Sequence, residues 1–576
     1  MNKKTIFLFA ILIGFNLLVY FPSFFDSARG TDHHIFLSDI AKADTLPQLI
    51  KESYSYNRLE GAFKGDKILF VPFIFLLLAF EKWLFGYDFF WWQITGFCLH
   101  LIAQWCLWRV LRSFVSLRWS FLAVLLSSVL FLQQETVVRH HLNGYLLFQI
   151  FALTAIYQFF KYCQDPQTRN KSFISSLSWL TLASFTYEGA LLINGLFIAL
   201  VYTPWKTAFA KFPKRDKVLI FFPAMIYLAV SALDFFARVK NFSFVENGLT
   251  GSVQPGSFDV GMFLNNMGQV VNIGLQGFLL PAFTKIKFVG DQYHYATFTW
   301  SAHTAAEIAN TVLFLFAASF LIFSVGVAIK NTSAIKTHFK ANVFVFGLTM
   351  LIFVFFYIGL ICLLRLQTNP GYLHTVPHHF YLIYSFTLAG ILYLANPFLS
   401  FIDQHRPRIA QTLFVALISL ALLQGYFLQR LNNDLRVRWE PQRIFLREID
   451  RFVKDHKKEP DFSFAIAESE LYYKHVVYLK ENQAVLKSLV EMLFPQYIGY
   501  NNPKYAVVYT KKEGLLAFRT IEEALRNFQE MTAKNGTFQK ELYLGGTKVD
   551  LRMFTVMFNF PQLYQQKKNQ KESHSQ

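Results

Sequence analysis

Apolar residues fall in long blocks along this chain, separated by short polar stretches. A block of roughly 20 is what crosses the hydrocarbon core of a bilayer. About eleven such spans are predicted by that length, over 5–25, 89–108, 119–134, 143–161, 172–187, 189–205, 217–237, 305–329, 341–365, 379–396 and 409–428. The first follows Lys3 and Lys4 and lacks a small-x-small cleavage site, so it reads as a retained span rather than a signal peptide.

Two stretches break the rhythm. Residues 26–66 are polar, but Ile35-Phe36, Ile40, Leu46 and Leu49-Ile50 recur at roughly helical spacing. That predicts an amphipathic helix on the membrane surface. Residues 67–86 are apolar enough to span, yet Glu81 and Lys82 fall late in the run. They are predicted to lie at the interface, so 26–88 together form outer-face juxtamembrane helices of a transmembrane domain over 1–428.

After residue 428 the period changes. A helix at 441–456 is followed by a strand at 462–467, helices near 468–479 and 484–494, a strand at 505–510, a helix at 520–533 and strands near 537–545 and 548–558. This predicts a soluble α/β domain over 429–564, large enough for its own core. The polar, basic end, 565–576, is expected to be disordered.

Composition agrees with a membrane protein. Of 576 residues, 54% are hydrophobic, 18% aromatic (67 of them Phe) and only 16% charged, which excludes an ordinary soluble enzyme. The net charge of +18 would suit nucleic acid. However, Lys and Arg crowd the short loops near 109–118, 161–171, 206–217, 330–340 and 406–408, while the short loops of the other side carry only Arg139 and Arg365. That asymmetry sets orientation instead. It predicts a multi-pass plasma (inner) membrane protein with a cytoplasmic N-terminus, Asp32 outside, an extracytoplasmic C-terminal domain, and no nucleic-acid partner. Cys98, Cys106, Cys163 and Cys362 all lie in or beside spans, which argues against disulfides and zinc.

The chemistry-bearing residues then gather on the outer face: Asp32, His33, His34, Asp39, Glu60, Asp66, Glu135, Arg139, His140, His141 and Glu188. Ionisable groups at span ends are costly unless they face a cavity or a partner. Each has a plainer reading. Asp32 could cap the following helix, Glu135 could be solvated at a span end, Glu188 could sit in a turn, and Arg139-His140-His141 could anchor headgroups or bind a phosphate. Histidine pairs also occur at 33–34, 140–141 and 378–379. Adjacent residues on a helix point apart, and no H-E-x-x-H spacing is present, so no metal is expected. No Walker A, Rossmann or G-x-S-x-G signature occurs. An enzyme here would draw on an activated substrate carried by a lipid.

A particular order of parts is also present. The first span is followed by a loop with Asp32. A helix from Lys67 to Pro72 ends in Phe85-Gly86, and the next span carries His100. The span after it ends Gln133-Gln134-Glu135-Thr136-Val137, and Tyr187-Glu188-Gly189-Ala190 opens a later one. Over residues 1–205 this resembles the GT-C superfamily of polyprenol-phosphate-sugar glycosyltransferases, nearest the protein O-mannosyltransferase-like membrane enzymes. The resemblance implies a GT-C-like fold and inverting transfer of a sugar from a polyprenyl-phosphate donor to a glycan, lipid or protein acceptor. It implies Asp32 as base and Glu135 beside it. Substrate contacts would come from His33, Arg139, His140, Glu188, Arg365, His378 and His379. No cofactor is implied, although a divalent metal stays open. The chain departs from the family in having Thr31-Asp32 where two acids are common, Asn143 near the place of an Arg, and no tetratricopeptide repeats. Two other readings remain: a non-enzymatic lipid-linked glycan transporter or polysaccharide-assembly protein, and a glycan polymerase or ligase using Arg and His in loops 238–304 or 367–378.

Overall fold

The computed structural model describes residues 3–25, 45–56, 72–86, 88–164, 169–187, 189–202, 213–238, 259–278, 287–289, 292–294, 338–363 and 377–456, together with short strand segments between 498 and 550. In chain order the helices are α1 (Lys3–Tyr20), α2 (Leu46–Tyr56), α3 (Pro72–Phe85), α4 (Phe89–Arg112), α5 (Leu117–Ser127), α6 (Gln134–Val138), α7 (Asn143–Gln164) and α8 (Arg169–Ser184). They continue with α9 (Ala190–Tyr202), α10 (Lys214–Leu219), α11 (Phe222–Arg238), α12 (Val260–Gln276), α13 (His338–Ile361), α14 (Pro377–His405) and α15 (Pro407–His456).

Six stretches among the described residues are long and apolar enough to cross a membrane: Lys3–Phe25, Phe89–Arg112, His140–Cys163, Lys214–Asp234, His379–His405 and Pro407–Asn433. A seventh candidate is a bent pair, Leu117–Ser127 with Phe131–Val138, which turns by 59° at its break. The protein is a polytopic helical membrane protein whose described residues hold six or seven such helices, fewer than the eleven expected. The reason is length. Helices α8 and α9 have 16 and 13 residues, and Phe346–Ile361 within α13 is another shorter apolar stretch. The expected span 305–329 lies outside the described residues.

The expected α/β domain is also overturned. Its first part, 429–456, is the continuation of the 50-residue helix α15. Beyond His456 the described residues hold no helix. Their strands come as separate two-stranded antiparallel pairs, such as Ala506–Thr510 with Gly514–Phe518 and Glu541–Leu544 with Thr547–Asp550. An α/β core needs helices laid on a sheet, and two-stranded pairs alone do not build one. The expected tail 565–576 lies outside the described residues.

Local chemistry sets the helix ends that matter. Gly86 closes α3 with φ +57°, a left-handed conformation suited to glycine, and its N–H donates to the Lys82 carbonyl at 2.8 Å. The Trp92 indole N–H donates back to the Gly86 carbonyl at 3.1 Å, fixing the turn between α3 and α4. Asp88 caps α4 by accepting from the Phe90 N–H, and Arg109 and Arg112 occupy its last turn, where cations suit the helix dipole.

The bundle interior also holds a polar strut. The Asn16 amide donates to Ser128 Oγ at 3.0 Å. His100 Nε2 faces Asn16 Oδ1 at 3.2 Å and the Ser128 carbonyl at 3.1 Å, and Nδ1 faces the Tyr381 hydroxyl at 2.6 Å. The Gln104 amide donates to that same hydroxyl at 3.4 Å. Both groups facing Nε2 accept, so the network assigns the proton to Nε2 and leaves Nδ1 to accept from Tyr381. All five residues are buried. His100→Leu removes three of these bonds, leaving Asn16 Oδ1 without its donor and the Tyr381 hydroxyl without its acceptor, and is expected to cost about 2–4 kcal/mol. His100→Gln, whose amide nitrogen can take the Nε2 place, should lose about half as much. Thermal unfolding in detergent reads both.

Candidate functional site

The site is built around the broken span. Helix α5 stops at Ser127, and the chain then passes through short 3₁₀ turns at Phe131–Gln133 and His140–Leu142 on either side of the five-residue α6. Irregular backbone at membrane depth is tolerated only inside protein or along a cavity. Here the freed groups are taken up by neighbours. The Ser128 carbonyl accepts from His100, and the Val138 carbonyl accepts from the Gln93 amide at 3.0 Å. Gln134 donates to Asn432 Oδ1 at 2.9 Å, and Asn432 donates to the Val19 carbonyl at 3.0 Å, which ties α6 to α15 and α1.

Close approach of α4 makes this possible. A Cβ at Gly96 would lie 2.6 Å from the Val137 carbonyl oxygen and 3.1 Å from Asn143 Oδ1. Gly96→Ala is therefore expected to push α6 away and cost about 1–3 kcal/mol, read as a lower unfolding midpoint.

The break buries an ion pair. Glu135 Oε1 and Arg139 Nη2 are 3.0 Å apart, one helical turn from each other, with side chains 2% and 10% exposed. His140 is buried beside them, stacked on Phe89 at 5.8 Å and tilted against Trp92 at 5.4 Å. Gln133 and Asn143 flank the pair in sequence. Both are fully buried, and neither side-chain amide makes a hydrogen bond. Buried amides are nearly always partnered in folded proteins, by protein or by ordered water, so these two have hydrogen-bonding capacity for a water or a polar ligand.

A second cluster forms where α7 begins. Tyr357 of α13 bonds His379 Nδ1 at 2.8 Å and donates to the Tyr187 hydroxyl at 3.2 Å. Tyr145 packs on Tyr187 at 5.1 Å and edge-on to His379 at 5.6 Å. Tyr145 lies two residues after Asn143, so the clusters share one end of the bundle. The first span arrives there too, because Phe24 and Phe25 pack on Phe90 at the start of α4.

Of the residues expected at a site, Glu135, Arg139 and His140 come together, and His379 joins the tyrosine cluster. His378 lies in the first turn of α14. Asp32, His33, Glu188 and Arg365 lie outside the described residues. Among the described residues no group of three or more His, Cys, Asp or Glu could hold a metal. The sequence reading missed Gln133, Tyr145 and Tyr357, whose polarity is unremarkable until the fold buries them.

It also passed over Glu81, although an acid late in an apolar run was the visible signal. Glu81 sits on α3, outside the spanning helices. It is 2% exposed, and neither carboxylate oxygen has a hydrogen-bond partner. Burial pushes its carboxyl well above the ordinary value of 4.5. The fold then binds this proton more tightly than the unfolded chain does. Its stability is full below the unfolded pKa and falls as pH rises, by up to about 1.4 kcal/mol per unit, until the folded pKa is passed. Unfolding midpoints should drop as pH rises above the ordinary carboxyl value of 4.5, and Glu81→Gln should flatten that drop.

Neither a family model nor a curated protein sequence matches the chain. Distant likenesses exist among solved structures. ArnT from Cupriavidus metallidurans bound to undecaprenyl phosphate aligns at 12% identity and a TM-score of 0.39, covering 96% of this chain and 98% of that one. The same protein in the apo state aligns at 12% identity and a TM-score of 0.33 over the same shares. An Archaeoglobus fulgidus oligosaccharyltransferase tethered with an acceptor peptide aligns at 12% identity and a TM-score of 0.41, covering 88% of this chain and 69% of that one.

Proposed function

We propose that this protein is a membrane glycosyltransferase that moves a sugar from a polyprenyl-phosphate donor to an acceptor on the extracytoplasmic face, with inversion and with Asp32 as the base. The observation that carries this reading is the broken span. It buries the Glu135–Arg139 pair between Gln133 and Asn143, two amides with no partner of their own. Polar groups kept unsatisfied inside a membrane bundle are a functional signal. A sugar offers hydroxyls that can both donate to and accept from such amides.

Chain connectivity supports Asp32. It lies seven positions after Phe25, a reach of at most about 25 Å from the bundle end where both clusters lie. Glu188 stands between Tyr187 and Gly189 and so is tethered to the tyrosine cluster. In the proposed reaction Asp32 takes the proton of the acceptor hydroxyl as its oxygen attacks the anomeric carbon, and the polyprenyl phosphate leaves from the opposite face. Arg139, Arg365, His378 and His379 steady the departing phosphate, while His33, His140 and Glu188 contact substrate. The positive-inside asymmetry supports this end as the extracytoplasmic one.

The test is the lipid-linked sugar pool of cells lacking the protein. One polyprenyl-phosphate sugar should accumulate, and the wild-type chain should restore its level. An unchanged pool would sink the reading.

A further inference from the structure

We propose that the groove between α1, α5 and α15 is a binding site for one anionic phospholipid, with its acyl chain in the groove and its headgroup on a basic cluster at the groove's end. This is independent of the proposed glycosyl transfer and lies away from the Glu135–Arg139 pair.

The groove has a volume of about 580 Å³ and is walled by Leu8 and Phe15 of α1, Phe121 and Leu125 of α5, and Ile418 and Leu422 of α15. The three helices start at the same end. Asn432 bonds the Val19 carbonyl, Asn16 bonds Ser128, and Arg118 bonds the Ala410 carbonyl, so all three helices run the same way from that end. From Leu117 to Leu125 the wall runs eight residues, about 12 Å. One leaflet of the hydrocarbon core is about 15 Å deep. The groove therefore matches an acyl chain of one leaflet and is too shallow for a membrane-crossing ligand.

Charge identifies the headgroup. Among the described residues the one polar side chain lining the groove is Arg118, at its starting end. Its guanidinium lies 4.3 Å from the centre of the Phe414 ring, and Nη2 donates to the Ala410 carbonyl at 3.2 Å. Its nearest acid is Asp403, 3.7 Å from Nη1, and Asp403 also accepts from the Trp119 indole at 2.9 Å. A guanidinium has five N–H donors, so these contacts leave donors to spare, and the side chain is 35% exposed. Lys3 and Lys4 begin α1, and Arg406 and Arg408 flank the start of α15. All four are exposed, and among the described residues no ion pair involves them. Arg118 at the mouth of this apolar slot, with Lys3, Lys4, Arg406 and Arg408 at the same ends of α1 and α15, selects a lipid that carries a negative headgroup.

Native mass spectrometry of the full chain, delipidated and titrated with phosphatidylglycerol or phosphatidylethanolamine of matched acyl chains, tests this. One phosphatidylglycerol should bind at least about tenfold more tightly than phosphatidylethanolamine. Arg118→Gln should weaken phosphatidylglycerol about fivefold, the equivalent of about 1 kcal/mol for a cation at the membrane surface. Because Arg118 also holds Asp403, the exposed pair Lys4→Gln and Arg408→Gln gives a second reading that leaves the packing intact, and a similar loss is expected. Ile418→Trp, which fills the groove, should remove binding of both lipids. Equal affinity for the two lipids, or phosphatidylglycerol binding that survives Ile418→Trp undiminished, overturns the proposal. Unchanged preference in both charge variants overturns it as well.

Discussion

Asp32→Asn protein is expected to insert and fold as the wild type does, yet to transfer sugar at least about tenfold and up to about 10⁴-fold more slowly. Asn keeps the shape and polarity of the side chain but cannot take a proton from an attacking hydroxyl. A loss confined to turnover, with an unchanged unfolding midpoint, separates a base from a helix cap. A cap would lower the midpoint instead, although Asn also caps well, so Asp32→Ala completes the comparison. The accumulated donor should be cleared by wild-type protein and not by Asp32→Asn. His378→Ala made in parallel addresses a polymerase or ligase that relies on loop Arg and His. In that case His378→Ala is the inactive variant, and Asp32→Asn protein, with full turnover, rules Asp32 out as the base.

The second large effect is on stability. Arg139→Met is expected to cost about 3–5 kcal/mol, because it removes the cation 3.0 Å from a buried carboxylate. The double variant Glu135→Gln with Arg139→Met should recover most of that loss, since the stranded charge is gone. A double-mutant cycle on unfolding midpoints in detergent isolates the coupling. If Arg139→Met alone moves stability by less than about 1 kcal/mol, the pair is solvated and the broken span is not the buried site described above. The double variant should still lack transfer if the pair serves the reaction, so stability and activity part company there.

These expectations draw on the sequence unevenly. Apolar blocks show where helices lie, because each must present hydrocarbon to lipid. Hydropathy has no term for a bend, so the predicted span 119–134 gave no hint of the 59° turn within the stretch. Nor does it distinguish a 13-residue apolar helix such as α9 from a spanning one when the neighbouring loop is also apolar. The polar shift after residue 428 suggested a domain boundary, but α15 runs through it to His456. Helical hydrogen bonds are internal to the segment and indifferent to which face turns polar. Glu135, Arg139 and His140 could be singled out because charge at a span end is costly. Tyr145, Tyr357 and His379 come from three separate helices and Tyr187 from the turn between α8 and α9, and no local pattern brings them together.

The broken span thus divides what each level decided. The sequence by itself determined that this is a membrane protein, roughly where its helices run, and which ionisable residues sit at their ends. Those follow from the cost of burying charge and from the thickness of a bilayer. Only the tertiary structure decided that the span breaks, that Glu135 pairs with Arg139, and that Gln133, Asn143 and Glu81 are buried without partners. Burial and pairing depend on which distant helices close over a residue, and here Gly96, Asn432 and His100 supply that closure from 28 to 298 residues away in sequence.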